Sequence, residues 1–363
     1  MTQSPNTPVE ADLTPRLLID LDALARNYAR LQAASGAART GAAVKADAYG
    51  LGAAAIAAQL SKAGCREFFV ATPEEGAQVR AAIGLTGDSI FVLNGFWLAK
   101  RRLYDEAALI PVLNTAEEIA AASQWGGPCS LHVDTGMNRL GLPQGAYNAM
   151  AANGALDGLD LRLVMSHLAC ADEPGHAMNA LQQERFDAVR ARLPDTPASL
   201  ANSAGILLGS GYLHDLTRPG IGLYGCAPGQ GAHPFEPVVR IEAPILQLRE
   251  LAPGDTVGYG ASFTADAPML AATIPVGYAD GLLRAASNQG EVEVRGRAAR
   301  ILGRVSMDLT VIDVTGLRGE VRPGDRASLL GDQLDALAAN AGTLGYELLT
   351  RLGSRFRRHY RSG

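Results

Sequence analysis

Between about residues 40 and 225, short β-type apolar runs alternate with alanine-rich stretches of helical length. The runs fall at 42–45, 67–71, 89–93, 109–113, 130–134, 161–167, 198–202 and 219–224, and helical patterns such as 52–63, 73–82, 115–123 and 177–192 lie between them. Eight strands, each separated from the next by a helix-sized interval, predict a parallel α/β (β/α)8 barrel of the TIM type.

After about Pro237 the texture changes. Runs at 238–251, 269–276, 291–294, 300–302, 309–314 and 327–330 are short and rich in Val and Ile. Turn signals separate them, notably Pro253-Gly254-Asp255 and Pro323-Gly324-Asp325, where Pro presets φ and Gly supplies a positive φ. With no helix-length interval between the runs, this half reads as a mostly antiparallel β domain, closed by helices at 333–340 and 345–352. The predicted division is 1–236 for the barrel and 237–363 for the β domain. The run at 17–21 is the exception: it reads as a strand of the second domain, with Asp20 or Asp22 capping a helix over 23–34.

Composition narrows the function class. A chain of 363 residues, 47% hydrophobic and 19% charged, can bury one large core and a second. A net charge of −5 with no long Lys/Arg run argues against nucleic acid or an anionic membrane as partner. The basic cluster at 351–361 reads as a solvated tail. Cys65, Cys129, Cys170 and Cys226 are far apart and lack metal-ligand spacing, so they read as reduced thiols of a cytoplasmic protein with no metal. The first 16 residues carry no basic or apolar segment of a secretory signal, and no run approaches the ~20 apolar residues of a membrane helix.

The polar exceptions to the barrel pattern gather at strand ends. In such barrels the functional face is the C-terminal end of the strands, with phosphate often held after strands seven and eight. Lys45 ends strand one. Asp134 ends strand five and leads into Thr135-Gly136-Met137-Asn138-Arg139, and His167 ends strand six. Asn202-Ser203-Ala204-Gly205 follows strand seven, and Arg218-Pro219-Gly220-Ile221-Gly222 opens strand eight. Singly, each has a bland reading: a rim histidine, a surface ion pair, a helix cap. Their joint placement on one rim is what singles them out.

Val44-Lys45-Ala46-Asp47-Ala48-Tyr49-Gly50 resembles the pyridoxal-phosphate lysine segment of bacterial alanine racemases. Further motifs follow in order: DTGMNRLG at 134–141, SHLACAD at 166–172, NSAG at 202–205, RPGIGLYG at 218–225, VGYG at 257–260, IPVGYADG at 274–281, GRVSMD at 303–308, and R-x-x-R-x-Y ending at Tyr360. The resemblance spans nearly the whole chain and is to the alanine racemase family, fold-type III pyridoxal-phosphate enzymes built of a barrel and a β domain. It implies pyridoxal 5′-phosphate as cofactor, interconversion of L- and D-alanine, and supply of D-alanine for peptidoglycan. It also implies a head-to-tail homodimer with active sites shared between subunits.

Residue by residue, the resemblance implies Lys45 as the Schiff-base lysine and the base for the D-enantiomer, and Tyr259 as the base for the L-enantiomer. Arg218 would contact the pyridine nitrogen, and Tyr49, Ser203, Gly220, Ile221 and Tyr360 would hold the phosphate. His167 would support ring and tyrosine. Arg139 would lie beside the cofactor hydroxyl and substrate carboxylate, and Met307 and Asp308 would close the substrate pocket. Tyr259, Met307 and Asp308 would come from the other subunit. Asp172, Tyr278 and Arg284 match positions that shape the substrate entrance.

The residue chemistry agrees with this assignment. The Ser203 hydroxyl and the N–H groups near Ala204 and Ile221 offer donors to a phosphate dianion. An arginine keeps its protons, so Arg218 facing a pyridine nitrogen leaves the ring unprotonated and weakens it as an electron sink. That favours simple proton exchange at Cα. Exchange between opposite faces needs two bases. Lys45 serves one, and the phenol of Tyr259, ordinarily of pKa about 10, serves the other if His167, itself backed by an arginine, lowers it.

One departure stands out. Many relatives carry a carbamylated lysine seven residues before Arg139, where this chain has His132, which forms no stable carbamate. Asp134, on the same strand face, a bound anion or water could orient Arg139 instead. Leu51, where a histidine is common, reads as peripheral. The rival readings are a broader-specificity amino-acid racemase, a decarboxylase of the same fold type, and a non-catalytic pyridoxal-phosphate carrier. Arg218 counts against the decarboxylase, and a lone-barrel carrier would have no use for Tyr259 and Met307.

Overall fold

The computed structural model describes residues 12–85, 87–229 and 233–362. Residues 1–11, which carry most of the segment read above as lacking a leader, lie outside that set. The chain forms two compact units, Ala23–Glu236 and a second made of Met1–Asp22 with Pro237–Gly363.

In the first unit, parallel strands run in the order Ala198–Ser199, Asp160–Met165, Pro128–Asp134, Leu109–Leu113, Ser89–Val92, Glu67–Val70 and Ala42–Ala43. The eighth position is filled by Leu216–Thr217, parallel to Arg39–Thr40, which leads directly into Ala42–Ala43. On its other side, the Asp215 amide donates to the Ala198 carbonyl (3.0 Å) and the Arg218 amide to Ala201 (2.9 Å). These bonds close the sheet into a barrel.

The expected eighth strand at 219–224 is therefore corrected. The ladder continues only to Pro219, whose carbonyl accepts from the Ala43 amide at 2.8 Å, and Pro has no N–H with which to extend it. Ile221–Tyr224 instead winds into a 3-10 turn, pinned where the Tyr224 hydroxyl donates to the Ala43 carbonyl at 2.9 Å.

The helices start where local chemistry tells them to. Thr72 and Thr115 cap Pro73–Ile83 and Ala116–Trp125 by accepting from the amides of Glu75 and Glu118, as N-cap threonines do. Ala177–Arg190 buries Asn179, Gln182, Phe186 and Val189, a stripe at the three-and-four spacing of one helix face.

The second unit is a nine-stranded sheet in the order Gln247–Leu251, Met269–Ile274, Thr310–Asp313, Arg297–Leu302, Glu291–Val294, Arg326–Leu330, Val239–Pro244, Arg16–Asp20 and Arg357–Arg361. Every pairing is antiparallel except the last, Arg16–Asp20 with Arg357–Arg361. The run at 238–251 proves to be two strands, because it changes partners after Pro244: Val239–Pro244 pairs with Arg326–Leu330, and Gln247–Leu251 with Met269–Ile274. One apolar cluster of this unit comprises Leu251, Val257, Ala265, Met269, Ala271 and Leu302. No helix among the described residues is long and apolar enough to cross a membrane.

Candidate active site

The mouth of the barrel carries most of the polar exceptions. Lys45 leaves the first strand just after Val44, whose amide donates to the Phe69 carbonyl at 2.9 Å. The chain then does something its composition does not announce. Ala46, Asp47, Ala48 and Tyr49 all have φ between +52° and +56°, one turn of left-handed helix without a glycine. At about 1–2 kcal/mol per residue this stores on the order of 4–8 kcal/mol. The turn is held by its own bonds, Ala48 N–H to Val44 O at 2.9 Å and Gly50 N–H to Ala46 O at 2.8 Å. Asp47 Oδ1 also accepts from the Ala53 amide at 2.7 Å. Burial, with Arg139 and Arg218 nearby, pushes the Lys45 amine below its ordinary value, and Glu75 opposes that. An amine of lowered basicity is a better nucleophile near neutrality.

Across the mouth, Arg218 is buried without a carboxylate partner among the described residues. Its guanidinium donates to Ser199 Oγ (2.5 Å), Ser166 O (2.6 Å), Leu200 O (3.3 Å) and His167 Nδ1 (3.3 Å). Burial pushes its pKa down to about 9, so the group remains cationic at neutral pH. A guanidinium cannot accept, so His167 Nδ1 does, and the ring proton sits on Nε2. Burial, then Arg218, Arg139, Lys45 and His132, hold His167 well below the usual imidazole range. It is a neutral ring with one N–H to give.

Ser203 is buried, and its Oγ accepts from the amides of Gly220 (2.9 Å) and Gly222 (3.2 Å). Ser203 opens the short helix Ser203–Leu207, whose cap is Asn202, its Oδ1 accepting from the Gly205 amide at 2.8 Å, so the Ser203 hydroxyl is left to face the turn. The amides of Ala204 and Ile221 find no acceptor among the described residues. Gly220 is where a side chain cannot go: a Cβ there would lie 2.4 Å from the Tyr49 hydroxyl. Tyr49 in turn packs on Tyr224 with ring centroids 4.8 Å apart. Amides without acceptors, a hydroxyl and a phenol around a glycine form a cradle of donors suited to a phosphate dianion. With a half-buried lysine and a buried arginine beside it, the residues present fit pyridoxal phosphate.

His132 and Asp134 are resolved differently from the expectation. The Asp134 carboxylate accepts from the amides of Gly136 (2.8 Å), Met137 (2.9 Å) and Asn138 (2.9 Å), so it folds the following loop and is not the partner of Arg139. Arg139 is exposed. His132 Nδ1 lies 2.9 Å from Asn114 Oδ1. Because Asn114 Nδ2 donates to Leu93 O and Val112 O, that Oδ1 accepts, and His132 Nε2 carries the lone pair. Burial, then Arg218, pushes the His132 pKa down to about 4. Asp172 is exposed in the loop after the sixth barrel strand.

The β unit presents the remaining candidates. Tyr259 opens a 3-10 turn between Gly258 and Gly260, both at positive φ, and is 70% exposed. Met307 is 53% exposed. The Tyr278 and Ala279 amides donate to the carbonyls of Ser306 and Met307, each at 3.0 Å. That contact requires Gly277, where a Cβ would meet the Met307 carbonyl at 2.3 Å. Asp308 accepts from Arg355 at 2.6 Å, and the same guanidinium donates to buried Asp280 at 2.8 Å. Tyr278 and Arg284 line one open cleft with Arg351. Tyr360 stands opposite Ile19 in the parallel pair of strands.

Three supporting residues escaped the sequence reading. Gln182 accepts from the Ala169 amide (2.8 Å) and donates to the His167 carbonyl (2.9 Å); a glutamine within a buried helical stripe was its signal. Asn114 fixes the His132 tautomer. Glu75, third after Thr72, advertised itself only as a cap.

The family pattern described as "Alanine racemase, N-terminal domain" matches residues 19–228, and "Alanine racemase, C-terminal domain" matches 238–360. The chain is 47% identical to an alanine racemase of Methylobacterium nodulans, covering 96% of each. It is 46% identical to a catabolic alanine racemase of Mesorhizobium japonicum, covering 96% of this chain and 93% of that one. Among solved structures, the alanine racemase of Bartonella henselae with covalently bound pyridoxal phosphate superposes with a TM-score of 0.90 at 38% identity, over 96% of this chain and 99% of that one.

Proposed function

The chain belongs to the alanine racemase family, and we propose that it interconverts L- and D-alanine with one proton-transfer group from the barrel and one from the β unit of a second copy. It is a pyridoxal-phosphate-dependent isomerase of amino acids. The matching C-terminal domain over 238–360 removes the lone-barrel carrier reading. The observation that carries the assignment is the barrel mouth itself: Lys45, half-buried and beside Arg139 and Arg218, shares one rim with the Ser203–Gly220–Tyr49 cradle.

In this reading Lys45 would carry the cofactor. Tyr49, Ser203, Gly220, Ile221 and Tyr360 would hold its phosphate, and Arg218 would face its ring nitrogen. When bound, the cofactor supplies an electron sink that makes an amino acid's Cα–H acidic. The protein's own task is to move that proton between faces. The Lys45 amine, lowered in basicity by burial, takes or returns it on one face. The Tyr259 phenol does so on the other. His167, neutral with its remaining proton on Nε2, is the donor a phenolate needs. Arg218 stays cationic and gives no proton away. Arg139 and Met307 would meet the substrate, as would Asp308, held by Arg355. Asp172, Tyr278 and Arg284 would shape its approach.

Sharing sites in a head-to-tail homodimer is supported by the exposure of Tyr259, Tyr278 and Met307 in the single chain, since clustered exposed apolar side chains mark interaction surfaces. We assign the enzyme to the cytoplasm, where cysteines such as Cys65, Cys129 and Cys170, none of them in a disulfide, stay reduced. There it would supply D-alanine for peptidoglycan. The catabolic relative marks the opposite use of the same chemistry.

An amino-acid panel followed by α-hydrogen exchange in D2O tests the assignment. Alanine should exchange fastest in both enantiomers; exchange of a larger amino acid ahead of alanine would point to the broader-specificity racemase.

A further inference from the structure

One carboxylate ties together the first two strand ends at the barrel mouth. Glu75 Oε1 accepts from the Ala46 amide at 2.8 Å, and Oε2 accepts from the Ala71 amide at 2.7 Å. Both amides lie past the end of the ladder between those strands, whose last paired residues are Ala43 and Phe69. Glu75 is itself fixed. Its amide donates to Thr72 Oγ1 at 3.3 Å, and its helix packs so closely that a Cβ on Gly76 would lie 2.8 Å from Leu109 Cδ2. The bracketed amide belongs to the residue after Lys45 and opens the left-handed turn.

The neighbouring βα unit supplies an internal comparison. Glu118, third after Thr115, reaches back in the same way and accepts from the Asn114 amide at 2.6 Å. It also accepts from the amides of Thr115 and Phe96, neither of them next to a lysine. The two carboxylates share a folding role, and they differ in what they hold.

We propose that Glu75 is a positioning residue for Lys45: its carboxylate brackets two strand ends, anchors the strained turn, and faces the amine with the negative charge that Arg139 and Arg218 lack. The charged and titratable groups facing Lys45 are Arg139, Arg218, Glu75 and His167. Of these, Glu75 alone is anionic. Removing its charge leaves the amine among cations and lowers its basicity. The proposal rests on Lys45 being the cofactor lysine, and that premise is checked separately by borohydride trapping in the wild-type holoenzyme.

The test compares Glu75→Gln, Glu75→Asp and Glu118→Gln. Hydrogen exchange of the segment 44–50 in the holoenzyme reports the bracket. Losing a charge-assisted bond should speed it by about tenfold to a hundredfold in Glu75→Gln, with no change in Glu118→Gln. The pH midpoint of Lys45 acetylation in cofactor-free protein, read by mass spectrometry, reports the charge. It should fall in Glu75→Gln, return toward wild type in Glu75→Asp, and stay put in Glu118→Gln. Either readout unmoved in Glu75→Gln, or both moved equally in Glu118→Gln, overturns the proposal. Failure of borohydride to label Lys45 would instead overturn the functional reading, whatever Glu75 does to the exchange.

Discussion

Replacing Ser203 by alanine removes one oxygen from a site 2% exposed and strips two glycine amides, 220 and 222, of their acceptor. A buried donor left unsatisfied costs about 1–3 kcal/mol, so the cofactor-free protein should lose roughly 2–6 kcal/mol for the pair. The control is built into the barrel. Ser130 is 0% exposed, and its Oγ has no hydrogen-bond partner among the described residues. The same Ser→Ala change there should alter stability by no more than about 0.5 kcal/mol, or stabilise slightly. Urea unfolding of the two cofactor-stripped variants, followed through the barrel's transition, gives the difference directly. Pyridoxal phosphate titration should then show affinity weakened at least roughly tenfold in Ser203→Ala, because the same turn would hold the phosphate. Equal stabilities for the two variants, within about 0.5 kcal/mol, would refute the claim that Ser203 organises the 220–222 turn.

Three further outcomes are expected. His132, folded at about 4 against 6.5, binds its proton more readily in the unfolded chain. Its contribution to stability is therefore full above pH 6.5 and is lost as pH falls toward 4. In His132→Asn the acid loss over that window should shrink by up to about 3 kcal/mol; an unchanged slope in urea midpoint against pH would contradict a half-buried neutral ring. Borohydride should fix the cofactor to the peptide holding Lys45 in wild type and to nothing in Lys45→Ala. In Tyr259→Phe, L-to-D turnover should fall about 10²–10⁴-fold with cofactor retained, and unchanged turnover would remove Tyr259 as a base.

Seven barrel strands were legible because their apolar runs coincide with their ladders. The eighth was not. The conspicuous run at 219–224 became a 3-10 turn, and the true strand, Leu216–Thr217, is two residues long and is defined by what it pairs with. The left-handed turn at 46–49 was invisible for a related reason. Of Ala-Asp-Ala-Tyr only Asp47 tolerates positive φ more than most residues, and the conformation is held by Glu75, Asp47 and the strand ends around it. Glu75 and Asn114 act on residues tens of positions away, so local pattern cannot reveal them. Gln182 did leave a trace, as a polar residue on a buried helical face. In the β unit, a tyrosine between two glycines has no periodicity to mark it, and only the resemblance singled out Tyr259.

The proposed mechanism requires the Lys45 amine and the Tyr259 phenol to serve one site from two chains. Mixing Lys45→Ala with Tyr259→Phe protein tests it most directly. In a mixed dimer, one site would receive Lys45 from one chain and Tyr259 from the other, both intact, while the second site would lack both. Statistical mixing makes half the dimers mixed, so about a quarter of wild-type activity should return. Verified mixed dimers with no more activity than either parent variant would contradict the claim.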